Sequence, residues 1–322
     1  MEAPPTNPQI LIRLLVESEL AAADRIVRVA FGTFLGMPDP SAFMGDASYV
    51  RARWLADPDA VLAAEYNGKV IGSNFATNWG SFGFFGPLTV EPEYWDRGVA
   101  QKLLGPTMEI FRRWGSRHLG LYTFPHSTKH MALYQKFGFW PRDLVVTFAK
   151  TIDGEPEAPP DVSRFSEFKP ADHENLIAAC REVTDAIFVG LDVQREIRTV
   201  AYQRLGDTIL VWDNSGLAAF AVCHSGAGTE AGSGVCYVKF AAVRPGPRAA
   251  ENFSRLLQGL EAFAASRRAP RITADVNVAR REAFRAMRAH GFRPERQGVA
   301  METGDARAGY NRADVYILDD WR

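Results

Sequence analysis

The chain has 322 residues, 47% of them apolar, with 37 Lys and Arg against 38 Asp and Glu. That length and apolar share exclude one small domain, a disordered chain and a collagen-like fibre, and fit about two domains with sizeable cores. The charge balance, without a strong basic excess on either side of Lys150, argues against a nucleic-acid partner.

The opening Met1-Glu2-Ala3-Pro4-Pro5 shows no basic segment followed by an apolar run, so no leader is expected and the protein is placed in the cytoplasm. Residues 70–90 are uncharged and long enough to span a bilayer, but Gly72, Gly80, Gly83, Gly86 and Pro87 mark strands broken by turns. No membrane partner is expected. Cys180, Cys223 and Cys236 form no CxxC pair, which predicts idle buried thiols and no metal site.

In chain order, helical segments lead to a hairpin turning at Glu65-Tyr66-Asn67-Gly68-Lys69, then to a strand at 84–90 and a helix at 98–113. A strand at 119–124, a helix at 128–137 and a closing strand at 144–149 complete the first half. Residues 153–160 are acidic and proline-rich and predict an exposed linker between domains at 1–152 and 161–322.

An offset of 153 residues lays the second half on the first. It places Val90-x-Pro92 on Val243-x-Pro245, Leu103-Leu104 on Leu256-Leu257 and Gly138-Phe139 on Gly291-Phe292. The repeat predicts strands at 236–243 and 272–276 and helices at 248–265 and 279–290, so each half is an α/β unit with helices on a mixed sheet. Two strand-like stretches, 298–303 and 315–318, follow the last helix, whereas the first half has one in that place. The first half is therefore one strand short, and 315–318 is expected to pair back toward it.

Chemistry is concentrated where the strand ending at Val90 runs through Glu91-Pro92-Glu93-Tyr94-Trp95-Asp96-Arg97 into a helix opened by Gly98-Val99-Ala100-Gln101. Small side chains at Gly98 and Ala100 let a ligand approach amides that a helix start leaves unpaired, a natural seat for an anion. Downstream, Ser127-Thr128-Lys129-His130-Met131-Ala132-Leu133-Tyr134-Gln135-Lys136-Phe137-Gly138-Phe139 reads as a helix carrying a tyrosine and stopped by a glycine.

In order, spacing and flanking strands these two segments resemble the signatures of the GNAT acyltransferase superfamily, V-x-P-x-x-[RQ]-x-x-G-x-[GA] and A-x-x-L-Y-x-x-x-G-F. The resemblance covers most of residues 10–150 and, more faintly, 162–322. It implies a tandem GNAT protein of α/β (α+β) class, each domain a mixed, mostly antiparallel sheet flanked by helices.

Carried over by position, the resemblance makes acetyl-CoA the acyl donor. The amides around Arg97, Gly98, Val99, Ala100 and Gln101 would hold its pyrophosphate, with Ser127 beside it where asparagine is frequent. The backbone of Leu88 and Val90 would pair with the pantetheine arm. The Leu88 N–H would polarise the thioester carbonyl, and Tyr134 would protonate the departing thiolate. The acceptor would be a small-molecule or peptide amine, and the protein a monomer or homodimer.

Three positions depart from the pattern: Trp95 replaces Arg or Gln, Asp96 puts an acid beside the phosphate seat, and Ser127 replaces Asn. Alternatively, Asp96 caps the following helix by accepting its N–H groups, where it would compete with the phosphate. The strand position where some members carry a glutamate base is Phe84, which leaves Glu65, Glu91, His126 and His130 open, directly or through water. Phe31, Phe34, Trp54, Trp79, Phe82, Phe85 and Tyr122 are the aromatic candidates for an acceptor pocket.

At the repeat offset Gly98 becomes Glu251, Ala100 becomes Phe253 and Tyr134 becomes Met287, so the second half is expected to be degenerate. The leading expectation is an N-acetyltransferase with one active site. A non-catalytic acyl-CoA sensor and a scaffold without CoA binding stay open as alternatives.

Overall fold

The computed structural model describes residues 9–304 and 309–322; the opening residues read above for a leader lie outside this range. The first half runs β1 (Leu11–Leu14), α1 (Leu20–Phe34), α2 (Val50–Ala56), β2 (Val61–Tyr66), β3 (Lys69–Trp79), β4 (Phe82–Phe85) and β5 (Thr89–Val90). It continues through α3 (Val99–Trp114), β6 (His118–Thr123), α4 (Thr128–Gln135) and β7 (Trp140–Thr151). The second half follows with β8 (Val162–Arg164), α5 (His173–Ile187), α6 (Gln194–Gln203), β9 (Gly206–Asp213), β10 (Gly216–Gly226) and β11 (Gly232–Val243). It ends with α7 (Ala249–Ser266), β12 (Arg271–Asn277), α8 (Arg281–Ala289), β13 (Arg293–Glu302) and β14 (Ile317–Asp319).

These strands form one 14-stranded sheet in the order β1-β2-β3-β4-β6-β13-β7-β12-β11-β10-β9-β8, with β5 on β3 and β14 on β11. The halves join by exchanging their closing strands. β7 leaves the first half to pair with β12, and β13 returns to pair with β6, while β7 and β13 run antiparallel to each other. The strand missing from the first half is thus β13, with Val299 opposite Thr123 and Met301 opposite Leu121. Residues 315–318 do not supply it, contrary to the expectation above, because β14 pairs inside its own half with Phe240, Ala241 and Ala242 of β11.

The cores record the same exchange. Val146 and Phe148 of β7 are buried with Phe253, Leu257 and Met287 of the second half. Val299 and Met301 of β13 are buried with Leu103, Phe111 and Tyr134 of the first. At roughly 1.5–3 kcal/mol for each large apolar side chain buried, these four residues bind the halves firmly together.

A third cluster joins Trp79, Phe82 and Phe84 to Phe220 and Phe240 of the other half. Cys180, Cys223 and Cys236 are all free and buried. Among the described residues no helix is long and apolar enough to cross a membrane.

One contact at the exchanged strand depends on a glycine. A Cβ on Gly298 of β13 would lie 2.1 Å from Cζ of Tyr122 on β6. Gly298→Ala is expected to destabilise the protein by about 1–3 kcal/mol through overpacking, measured as a lower denaturant midpoint at unchanged slope.

Candidate active site

The site begins where the sheet opens. β4 pairs in parallel with β6 from Phe82 opposite His118 to Phe84 opposite Gly120, and there the pairing stops. The chain then turns through Gly86 and Pro87, and β5 stays on β3, as β4 does, with Thr89 opposite Ser73 and Val90 opposite Gly72, but has no partner on its other side among the described residues. The strand expected at 84–90 is therefore two short strands, both along β3 and only the first also on β6, because Pro87 has no N–H for a ladder. A wedge is left between residues 88–90 on one arm and 121–123 on the other.

The peptide groups of 88 and 90 point into this wedge. The Glu91 N–H donates to the Ile71 carbonyl at 2.8 Å, so residues 91 and 89 face β3, and by alternation Leu88 and Val90 face away from it. The Val90 carbonyl is engaged by the Trp95 indole N–H at 2.7 Å. Trp95 thus ties the turn to the wedge, a local bond unreadable from the motif.

At the mouth, Gly98 is the N-cap of α3 with φ 74°, and a Cβ there would meet nothing within 4 Å. The corner is unobstructed. Val99, Leu103 and Leu104 are buried and fix the helix to the sheet, while Arg97, Gly98, Gln101 and Lys102 are exposed and Ala100 is half-buried. The first-turn amides therefore face solvent with no intrahelical partners.

Asp96 does not cap this helix. Its backbone is left-handed, with φ 62°, and its carboxylate pairs with Lys129 of α4 across the mouth. The Arg97 guanidinium lies 5.3 Å from the centre of the Tyr94 ring. Ser127 is buried as the N-cap of α4 and makes no side-chain cap bond.

Tyr134 on α4 lies on the same face of the sheet as α3, in the apolar cluster of Val90, Val99 and Leu103. Its ring is 5.7 Å from Phe85, on the last residue before the wedge. Burial, with no charged or hydrogen-bonding partner, pushes the phenol well above its ordinary pKa.

The candidate bases divide. Glu65 accepts from Arg13 at 2.7 Å and Glu91 from Arg25 at 2.8 Å, so both carboxylates are committed to ion pairs. His126 stacks on Phe34 at 5.6 Å and is exposed. His130, one turn before Tyr134, has its ring 6.4 Å from the phenol ring, and burial lowers its pKa, which keeps it neutral near pH 7. Phe84 is wholly buried, 4.7 Å from Trp79 and beneath the Lys239 ammonium.

Of the aromatic candidates, Trp79, Phe82 and Phe85 are core residues, and Trp54 bonds the Leu15 carbonyl. Phe31 and Phe34 instead meet Phe124, just past the end of β6. Tyr122 lies on the arm of the wedge itself.

Residues 29–139, which hold the wedge, the helix start and Tyr134, match the family model described as the acetyltransferase (GNAT) family. This segment is a GNAT acetyltransferase domain. Solved structures extend the likeness across the chain. A putative acetyltransferase from Pyrococcus horikoshii aligns over 97% of this chain and 95% of its own, at 16% identity and a TM-score of 0.68.

A GCN5-related N-acetyltransferase from Sphaerobacter thermophilus aligns over 91% and 95%, at 16% identity and a TM-score of 0.56. A tandem GNAT protein from the clavulanic acid biosynthesis pathway aligns over 92% and 100%, at 14% and 0.55. At these identities the likeness is one of fold. Among curated proteins none matches.

The second half has the same GNAT-like wedge with a different content. β11 parts from β12 after Val238 opposite Ala274, but β14 then lies along Phe240, Ala241 and Ala242. Val243 donates to the Tyr316 carbonyl at 3.1 Å. Ala241 and Val243 are the repeat equivalents of Leu88 and Val90, so the protein's own strand occupies the arm that a pantetheine would need. Phe253 and Met287 are wholly buried in the core, and Glu251 stands in the first turn of α7.

Residues missed from the sequence lie on the other face of the first wedge. Arg53 pairs with Glu230 at 2.7 Å, and Lys239 with Glu230 at 3.1 Å. Burial pushes the Glu230 carboxyl up, but Arg53 and Lys239 outweigh it and hold the pKa at about 2. Beyond β14, residues 320–322 complete this network. No local motif marks these residues, because the fold brings them from the second half to the first.

Proposed function

We propose that the chain is an acetyl-CoA-dependent N-acetyltransferase with one active site, in a domain spanning 1–152. Residues 153–160 link it to a GNAT-like domain at 161–322 that binds no acyl-CoA. The observation that carries this reading is the open wedge: Leu88 and Val90 face into it, Gly98 opens on free amides at its mouth, and Tyr134 lies on the same face.

The amides of Arg97, Gly98, Val99, Ala100 and Gln101 would receive the pyrophosphate, aided by a helix dipole of about 0.3–1 kcal/mol. Leu88 and Val90 would hold the pantetheine as an added strand. An acceptor amine attacks the thioester carbon, the Leu88 N–H stabilises the oxyanion, and the C–S bond breaks as Tyr134 gives its proton to the sulfur. The attacking nitrogen must be neutral and loses its second proton to water, with His130 the nearest uncharged imidazole to Tyr134.

Calorimetry with acetyl-CoA followed by thiol release with a panel of amines tests this. One acetyl-CoA per chain with amine-dependent release is expected. Binding without release across a broad panel would transfer the assignment to an acyl-CoA sensor, which the buried Phe84 at the usual base position favours. Absence of binding would end both readings.

A further inference from the structure

We propose that the pocket holding the Arg322 guanidinium is the acceptor-recognition site, and that the acceptor is an amine carrying a second positive charge, which displaces Arg322. The proposal rests on the wedge being the acyl-transfer site.

Its position follows from strand alternation. On β6, Leu121 points to the face of α3 and Tyr134, while Gly120 and Tyr122 point to the opposite face. There Trp321 covers Gly120, where a Cβ would come 2.9 Å from its ring, and Arg322 covers Gly86, where a Cβ would come 2.6 Å from its carbonyl carbon. The Arg322 guanidinium carbon lies 5.7 Å from the centre of the Tyr122 ring. Arg322 therefore bridges the two arms of the wedge, two residues before Leu88, on the side from which a nucleophile must enter if the thioester arrives along α3.

The surroundings of that guanidinium are those of a cation receptor. The Tyr122 and Tyr237 rings each present a face at 5.7 Å. Asp275 meets Nη2 at 2.8 Å, and Asp320 meets Nε at 2.7 Å. Asp275 is wholly buried, neither of its oxygens has a well-formed hydrogen bond, and among the described residues Arg322 is its only ion-pair partner. Burial pushes the Asp275 carboxyl above its ordinary range and the Arg322 guanidinium opposes that rise, so a cation held here favours the charged carboxylate. The Arg322 side chain is still 17% exposed, so the pocket has an open side.

The chemistry fixes the acceptor class further. A group held between two carboxylates and two tyrosine rings stays protonated and cannot be the nucleophile. The caged cation is then an anchor, and the reacting amine is another group of the same molecule. Diamines, polyamines and aminoalkylguanidines meet this requirement, whereas simple monoamines do not.

Butylamine, 1,4-diaminobutane and agmatine, compared on wild type, Arg322→Ala and Asp275→Asn, test the proposal. Arg322→Ala is expected to lower KM for the two dications about tenfold or more relative to that for butylamine, the weak monoamine reference, while Asp275→Asn raises the dication KM about tenfold. Agmatine should also bind Arg322→Ala in calorimetry and raise its melting temperature, restoring the lost cation. Arg322→Lys, which keeps a shorter cation, gives the same shift in the dication-to-monoamine ratio should the alanine variant fold poorly.

An unchanged ratio, or no agmatine binding to Arg322→Ala, overturns the proposal. Because agmatine binding is read without acyl transfer, its outcome is separate from that of acetyl-CoA binding, which alone decides the enzymatic reading.

Discussion

Gly98→Glu is expected to weaken acetyl-CoA binding by about 100-fold or more, and calorimetry reads this directly. Three terms add. A residue with a side chain held at the φ of 74° seen at Gly98 costs about 1 kcal/mol, which falls on stability or on the loop geometry. The added carboxylate sits where the open α3 amides would meet a pyrophosphate. A unit charge about 4 Å from another at an effective dielectric of 20 is worth roughly 4 kcal/mol before salt screening.

Screening reduces that figure, and about 3 kcal/mol is enough for a 100-fold loss. Sterics are not the cause, since a Cβ at this position meets nothing within 4 Å. Gly98→Ala separates the terms: it bears the backbone strain alone and is expected to lose less than tenfold. If the glutamate variant binds acetyl-CoA as wild type does, the pyrophosphate is not at this helix.

The sequence made this corner legible because its information is local. A glycine at a helix start, a buried leucine pair one turn on and a tyrosine helix ended by Gly138 each follow from short-range rules, and α3 and α4 begin within one residue of where those rules place them. The repeat was legible for the same reason, being a matter of spacing.

What escaped was partner choice. β7 and β13 each carry a continuous buried run of five residues that suits any vacant place inside a covered sheet, so nothing within 140–151 or 293–302 says that they cross between halves. The shortage of one strand in the first half was readable, but its supplier was misassigned to 315–318. That segment has a nearer vacancy in the wedge of the second half, where Ala241 and Ala242 have backbone groups to satisfy. The same routing carries residues 320–322 to the first wedge, which makes the acceptor side a product of topology rather than of motif. Asp96 shows the limit at small scale: its residue type suits a cap, but Gly98 is the N-cap and the left-handed backbone at 96 sends the carboxylate to Lys129.

Tyr134→Phe is expected to lower kcat by about 10²- to 10³-fold with the acetyl-CoA Kd unchanged, in the range that a positioned general acid supplies. The phenol is suited to that role by what surrounds it. Burial without a charged partner raises its pKa, so it remains protonated through neutral and mildly alkaline pH and always has a proton for the sulfur. The wild-type rate should therefore not fall between pH 7 and pH 10 on account of Tyr134. It should instead rise as the acceptor amine, ordinarily near pKa 10.4 for a lysine-like group, loses its own proton.

Phenylalanine keeps the ring packed against Phe85 and removes only the hydroxyl, so stability is expected to change little and the loss can be assigned to chemistry. Because thiolate departure needs a proton less urgently with a better leaving group, the deficit should shrink when the amine is held constant and a more acidic thiol replaces CoA in the ester. A deficit under tenfold, or one that is the same for both thioesters, would show that the hydroxyl serves packing and that the sulfur takes its proton from water.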